Sequence, residues 1–272
     1  SVEFSEHRIY NPGENIRHID WKLYARTDRL YVKRYEEETN LRCRMVLDAS
    51  GSMFYPTERL QNVEQPNKIL FSTIAILALM NLLRRQRDAV ALDIFGPQEH
   101  HTAVGSTYAH MRNCSTELYK MLQAYEVGKP LASGNLIEQL HVLAEKAERR
   151  SLLMIFSDLY EAQENPEAFF DVLKHLRHGK HELVIFWTTD HQEELNLDLP
   201  AGPYRFVDME TGAQLKLNPE EIKEAYRQKT AAFRADLERK CLQYKVDLVS
   251  ADVRKGYREI LQAYLIKRKK LF

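Results

Sequence analysis

The sequence predicts an α/β fold, a doubly wound and mostly parallel sheet with helices on both faces. Short apolar runs at 43–48, 89–95, 152–156 and 183–187 have the length and composition of buried strands. Stretches long enough for crossover helices separate them, which implies right-handed connections and parallel pairing. Several of these runs also stop abruptly at polar residues: Asp48, Ser157-Asp158 and Thr188-Thr189-Asp190. In a parallel sheet the loops leaving the carboxyl ends of strands form the ligand crevice, so such residues face a shared site.

Taken in order, YNPGENIRHIDWK is turn-like around Pro12-Gly13, and LYVKRYE at 30–36 alternates as a half-exposed edge strand does. After 43–48 a polar loop runs through Pro66 to a helix capped near Asn67 and closed by Arg84, Arg85 and Arg87. Its apolar stretch at 69–83, ILFSTIAILALMNLL, contains Ser72, Thr73 and Asn81. It falls short of the roughly 18 apolar residues of a membrane span and reads as a core helix. A turn at Gly96-Pro97 leads from 89–95 into a polar strand, QEHHTAV, expected to return antiparallel along the edge. Helical spacing covers 108–125 and 136–147, and YRFVDMETGAQLKL at 204–217 forms two alternating arms around Glu210-Thr211-Gly212, a hairpin. Asn218-Pro219-Glu220-Glu221 opens a helix to 244, followed by a strand at 246–249 and a helix at 253–267. The expected layout is an N-terminal region with an edge strand over 1–42 and an α/β domain over 43–272, with the hairpin inserted at about 203–217.

Composition narrows the function. Lys plus Arg and Asp plus Glu both total 39, and a neutral chain is ill suited to binding a phosphate backbone, so nucleic acid is set aside. Cys43, Cys114 and Cys241 are odd in number and far apart, as expected of buried thiols in a reducing, cytoplasmic compartment rather than a disulfide framework or zinc site. The chain opens on Ser1 rather than Met, which leaves room for an upstream segment. His100-His101 has no nearby Cys or third His and reads as a solvated edge, and the 267–270 run of basic residues reads as a solvated helix end.

The motif of most interest is VLDASGSM at 46–53. Asp48, Ser50 and Ser52 place a carboxylate and two hydroxyls on one tight loop, and Gly51 lets it bend. Hard oxygen donors of this kind suit Mg²⁺ or Mn²⁺. The spacing resembles the metal-ion-dependent adhesion site of von Willebrand factor A-type domains, a Rossmann-type fold. That resemblance implies a second acid after a later strand, matched by Asp158, and a threonine from an intervening loop, where Ser133-Gly134-Asn135 puts Asn135. An amide oxygen is a different ligand from a hydroxyl, and Ser133 is the alternative if the loop is shifted.

The segment EFSEHRIYNPGENIRHIDWKLYARTDRLYVKRYEEE at 3–38 adds a second resemblance. Arg8, Tyr10, Pro12-Gly13, Arg17, Ile19-Asp20-Trp21, Ala25-Arg26 and Val32-Lys33-Arg34, taken with VLDASGSM and the late FVDMETG, resemble the bacterial family called domain of unknown function 58. The resemblance implies a cytoplasmic, non-enzymatic interaction module that works with an AAA+ ATPase of the MoxR type in assembling or activating other proteins. A partner's acidic residue would then complete the metal's coordination. Arg17, Asp20, Trp21 and Arg26 are candidates for a partner-binding surface; the other reading is a salt-bridged flap with its Trp packed on the sheet edge.

Two other functions compete. An aspartyl phosphotransferase using Asp48 would want a second carboxylate two residues on, where Ser50 stands, and a serine hydrolase would want a Gly-x-Ser-x-Gly frame that the sequence lacks. A metal-free scaffold is the third reading, raised by Asn135.

Overall fold

The structure, a computed structural model, describes residues 2–11, 19–37, 41–97, 99–125 and 135–271. The chain divides into two compact units, Ser1–Leu41 and Arg42–Phe272.

In the first unit, β1 (Val2–Ile9), α1 (Trp21–Thr27) and β2 (Tyr31–Glu37) form an antiparallel ribbon and one short helix. The strand expected at the edge of the main sheet is β2, and it pairs with β1 in a sheet of its own. Asp20 caps α1 by accepting from Lys22 N at 3.0 Å and Leu23 N at 3.1 Å, which satisfies amide donors with no partner inside the helix. Asp28, in the left-handed region at φ 53°, closes it.

The second unit runs β3 (Arg42–Asp48), α2 (Lys68–Arg85), β4 (Ala89–Phe95), β5 (His100–His101), α3 (Tyr108–Ala124), α4 (Leu136–Lys146), β6 (Leu152–Ser157), α5 (Tyr160–Glu164), α6 (Pro166–His178), β7 (Glu182–Thr189), β8 (Tyr204–Val207), β9 (Gln214–Leu217), α7 (Pro219–Tyr244), β10 (Asp247–Asp252) and α8 (Arg258–Leu271). Its six-stranded sheet has the order β10-β7-β6-β3-β4-β5. Every pair is parallel except β4 with β5, the short return along the edge. Being covered on both faces, β3, β6 and β7 are buried almost throughout, which is why they read as continuous apolar runs rather than as alternation.

On one face α4, α6 and α7 pack Leu140, Leu173 and Leu237 against Val46, Ile155 and Ile185 of the sheet. The other face carries α2, with Phe71, Ile76, Leu79 and Leu83 fully buried, and α2 packs in turn on β3, β4 and α3. The apolar run at 69–83 is therefore a core helix, and among the described residues no helix is long and apolar enough to cross a membrane. The three cysteines are free and buried. His101 lies half-exposed on the edge, its Nδ1 3.0 Å from Asp93. The basic end of α8 departs from its expected solvation: Lys267 is buried, with Nζ 2.6 Å from Glu182 and 3.0 Å from Asp247.

Chain order reverses around β3: β4 follows it on one side and β6 lies on the other. That switch point opens a crevice at the carboxyl end of β3, where the register sets Asp48 beside Phe95 and Leu47 beside Phe156.

Candidate functional site

Asp48 is the last residue of β3, and Ala49 N still donates to Phe95 O at 2.6 Å before the backbone leaves the sheet. Ser50 is extended, and Gly51–Phe54 then winds into a single 3-10 turn. The loop folds onto its own carboxylate: Ser50 N donates to Asp48 Oδ1 at 2.9 Å, and the Ser50 and Ser52 hydroxyls lie 3.2 Å apart. Asn67, the cap of α2, holds the turn from below through Nδ2 to Phe54 O at 2.9 Å while accepting from Leu70 N.

The neighbouring strand β6 brings the second acid. Ser157 donates to Asp48 Oδ2 at 2.6 Å and accepts from Leu159 N at 2.9 Å, so one hydroxyl joins the two strand ends. Asp158 follows it, its Oδ1 accepting from Tyr160 N at 3.2 Å and its carbonyl from Trp187 Nε1 at 2.9 Å. Asp158 Oδ2 takes the Lys68 ammonium at 2.7 Å, and Lys68 also bonds Glu194. Glu194 in turn accepts from Asp190 N at 2.8 Å, which ties the head of α2 to the end of β7.

The charge balance of this crevice is negative. Asp48 is 3% exposed; burial and then the charge of Asp158 push its carboxyl up to about 6, against the hydrogen bonds from Ser157 and Ser50. Burial works against the Lys68 ammonium, but Asp158 and Glu194 outweigh it and hold the group above the ordinary lysine range. A third carboxylate approaches from the hairpin. The turn after β8 lies directly over the loop: a Cβ on Gly51 would stand 2.7 Å from Met209 O and 3.4 Å from Glu210 Cγ. Burial, followed by the charges of Asp158 and Asp48, raises Glu210 to about 7.

The fold therefore gathers Asp48, Ser50, Ser52 and Asp158 at one strand-end crevice. Asn135, the fifth expected residue, is exposed at the start of α4, makes no side-chain cap, and bonds Glu138. Ser133 and Gly134 lie outside the described residues, as do Arg17 and Pro12-Gly13. Asp20 is the cap of α1, Arg26 lies in its last turn, and Trp21 is 59% exposed, edge-on to Tyr24 at 6.2 Å, rather than packed.

The sequence places Ser157 at a strand end facing the crevice but gives no site role to Lys68, Glu194 or Glu210. Lys68 alone carried a visible signal, a charge heading an otherwise apolar helix. The donor set suits a hard divalent cation: carboxylate and hydroxyl oxygens on a loop whose glycine leaves no room for a Cβ. Among the described residues no group of three or more His, Cys, Asp or Glu side chains is placed to hold a metal ion. The serine hydroxyls and water would supply the remaining positions, as Mg²⁺ ordinarily permits.

The mostly parallel sheet with this loop at its switch point is the arrangement that the resemblance to von Willebrand factor A-type domains implies. The model of the family described as "Protein of unknown function DUF58" matches residues 6–236, and the chain belongs to that family. The uncharacterized protein Rv1480 of Mycobacterium tuberculosis and Mb1516 of Mycobacterium bovis are each 23% identical over 240 residues, covering 87% of this chain and 70% of theirs. Similar solved structures include the conserved hypothetical protein BatB from Bacteroides thetaiotaomicron, with a TM-score of 0.49, 14% identity, and coverage of 85% of this chain and 98% of that one. The manganese-loaded TRAP protein of Plasmodium vivax has a TM-score of 0.35 and 13% identity, over 66% of this chain and 76% of that one.

Proposed function

We propose that this chain is a non-enzymatic protein-interaction module in which Mg²⁺ or Mn²⁺ is held by Asp48, Ser50 and Ser52. Asp158 and Asn135 contribute directly or through water, and a partner's acidic side chain takes a remaining position. The observation that supports this best is the convergence of Asp48, Ser50, Ser52 and Asp158, from two adjacent strand ends, at the switch point of the sheet. When bound, the cation supplies a positive centre with exchangeable waters, which an incoming carboxylate can replace.

The family resemblance supports an AAA+ ATPase of the MoxR type as the partner, with this module delivering its action to other proteins. A cytoplasmic setting fits the three buried, free thiols. The serine-hydrolase reading is disfavoured because among the described residues no imidazole bonds Ser50 or Ser52.

Calorimetric titration of Mn²⁺ and Mg²⁺ into the chain and into Asp48→Ala tests the proposal. Saturable binding in the first that disappears in the second is the expected outcome. Two folded proteins that both fail to bind at millimolar metal would leave a metal-free scaffold as the better reading.

A further inference from the structure

The hairpin β8–β9 stands over the D-x-S-x-S loop, and its turn is built to hold one side chain there. Asp208 Oδ1 accepts from Glu210 N at 2.8 Å and Thr211 N at 3.2 Å, Thr211 Oγ1 donates to Asp208 Oδ2 at 2.7 Å, and Gly212, at φ 73°, turns the chain back. The backbone of Met209 then rests against Gly51, and the Glu210 side chain comes down beside it. Glu210 is half-buried, and its strongest charged neighbours, Asp158, Asp48, Asp208 and Glu164, are all acids. Among the described residues Glu210 has no salt-bridge partner, and the nearby Lys68 ammonium is taken by Asp158 and Glu194. Placing a half-buried carboxylate against two buried ones is costly unless a cation joins them. The hairpin thus presents, from within the chain, the same functional group that an adhesion-type site takes from a partner.

We propose that Glu210 is the site's own acidic ligand: with Mg²⁺ or Mn²⁺ bound at Asp48, Ser50 and Ser52, the hairpin carboxylate fills the position a partner's carboxylate would take. This rests on the cation-binding reading above. Its consequence is a closed module in which the metal clamps the hairpin over the loop, and a partner with an acidic side chain must displace Glu210 and lift the hairpin to enter. The geometry of Gly51 matters here because any larger residue would hold the Met209 backbone away and take Glu210 with it.

Three variants and three readouts test this. Calorimetry with Mn²⁺ on the full chain should show binding at least about tenfold weaker in Glu210→Gln, since losing even outer-shell partners costs metal sites roughly 10–100-fold. Glu210→Asp separates ligation from simple charge: it keeps the charge but shortens the reach, so a ligand role predicts a comparable loss and a field effect predicts affinity within about twofold of wild type. Hydrogen exchange at the amides of 208–213 should slow when Mg²⁺ saturates the wild-type chain and stay unchanged in Glu210→Gln. Matching thermal unfolding of the metal-free proteins would establish that the variants fold. Wild-type affinity in Glu210→Asp, with no metal-dependent protection of the hairpin, would overturn the inference while leaving the Asp48 site standing. Absence of saturable binding in the wild-type chain would remove both, and Asp48→Ala marks that boundary.

Discussion

Lys68 carries a single charge into both the core and the site. It is 2% exposed at the head of α2, and its ammonium is shared by Asp158 and Glu194. Replacing it with methionine keeps most of the volume but leaves two carboxylates without their cation, and breaking a buried pair from one side costs roughly 3–5 kcal/mol. Urea unfolding of Lys68→Met at pH 7 should therefore show a loss of about 3 kcal/mol. If a divalent cation binds beside Asp158, millimolar Mn²⁺ should return more stability to the variant than it adds to the wild type, because it meets a larger unbalanced charge. A variant as stable as wild type would mean that the two acids find protons or water at no cost. None of this was legible in the sequence beyond the odd position of the lysine, since its partners lie 90 and 126 residues along the chain. Asp48, Ser50 and Ser52 were legible because the whole donor set fits in five consecutive residues.

At the scale of elements, the ends of β3 and β7 respond to pH with opposite signs. At the end of β7, burial pushes Asp190 up, but Arg254, with Nε 2.8 Å from both carboxylate oxygens, and the amides of Gln192 and Glu193 outweigh it and hold the group below the usual aspartate range. Its stabilisation is present above the unfolded pKa near 4 and is lost as pH falls through the folded value. Asp48 behaves the other way in the metal-free chain. Its folded pKa of about 6 lies above the unfolded value, so the native state binds the extra proton and stability falls as pH rises from about 4 to 6. Urea unfolding across pH 3–8 should show Asp190→Asn flattening the acid limb and Asp48→Asn flattening the limb between 4 and 6. A profile unchanged by Asp48→Asn would show that the strand-end acids are less strained than their burial implies.

The elements themselves divide along the same physical line. Strands β3, β4, β6 and β7 were readable because burial on both faces leaves an unbroken apolar run, and the hairpin because its arms alternate around a glycine turn. Helix α1 was not, since it buries none of its residues and so carries no apolar period. The pairing of β2 with β1 is a long-range choice that an alternating pattern leaves open.

At the scale of the whole molecule, the two units differ in what could hold them together. Arg42–Phe272 contains the complete six-stranded sheet, both helical layers and every residue of the proposed cation site, Glu210 included. Ser1–Leu41 offers a two-stranded ribbon and a helix with no buried residue, at about the length below which a chain rarely folds without a disulfide or metal. A fragment of residues 42–272 should therefore unfold cooperatively within about 4 °C of the full chain, a difference of roughly 1 kcal/mol for a domain of this size. It should bind Mn²⁺ with the full chain's affinity, and the peptide 1–41 alone should show no cooperative transition. An aggregated or molten fragment would show that the N-terminal unit is part of the fold. If the fragment keeps its stability and its cation but no longer captures a partner, recognition belongs to the N-terminal unit, where Trp21 stands 59% exposed on α1. The exposure of a large aromatic there, on a helix with nothing of its own to bury, is what makes that division of labour the one to test.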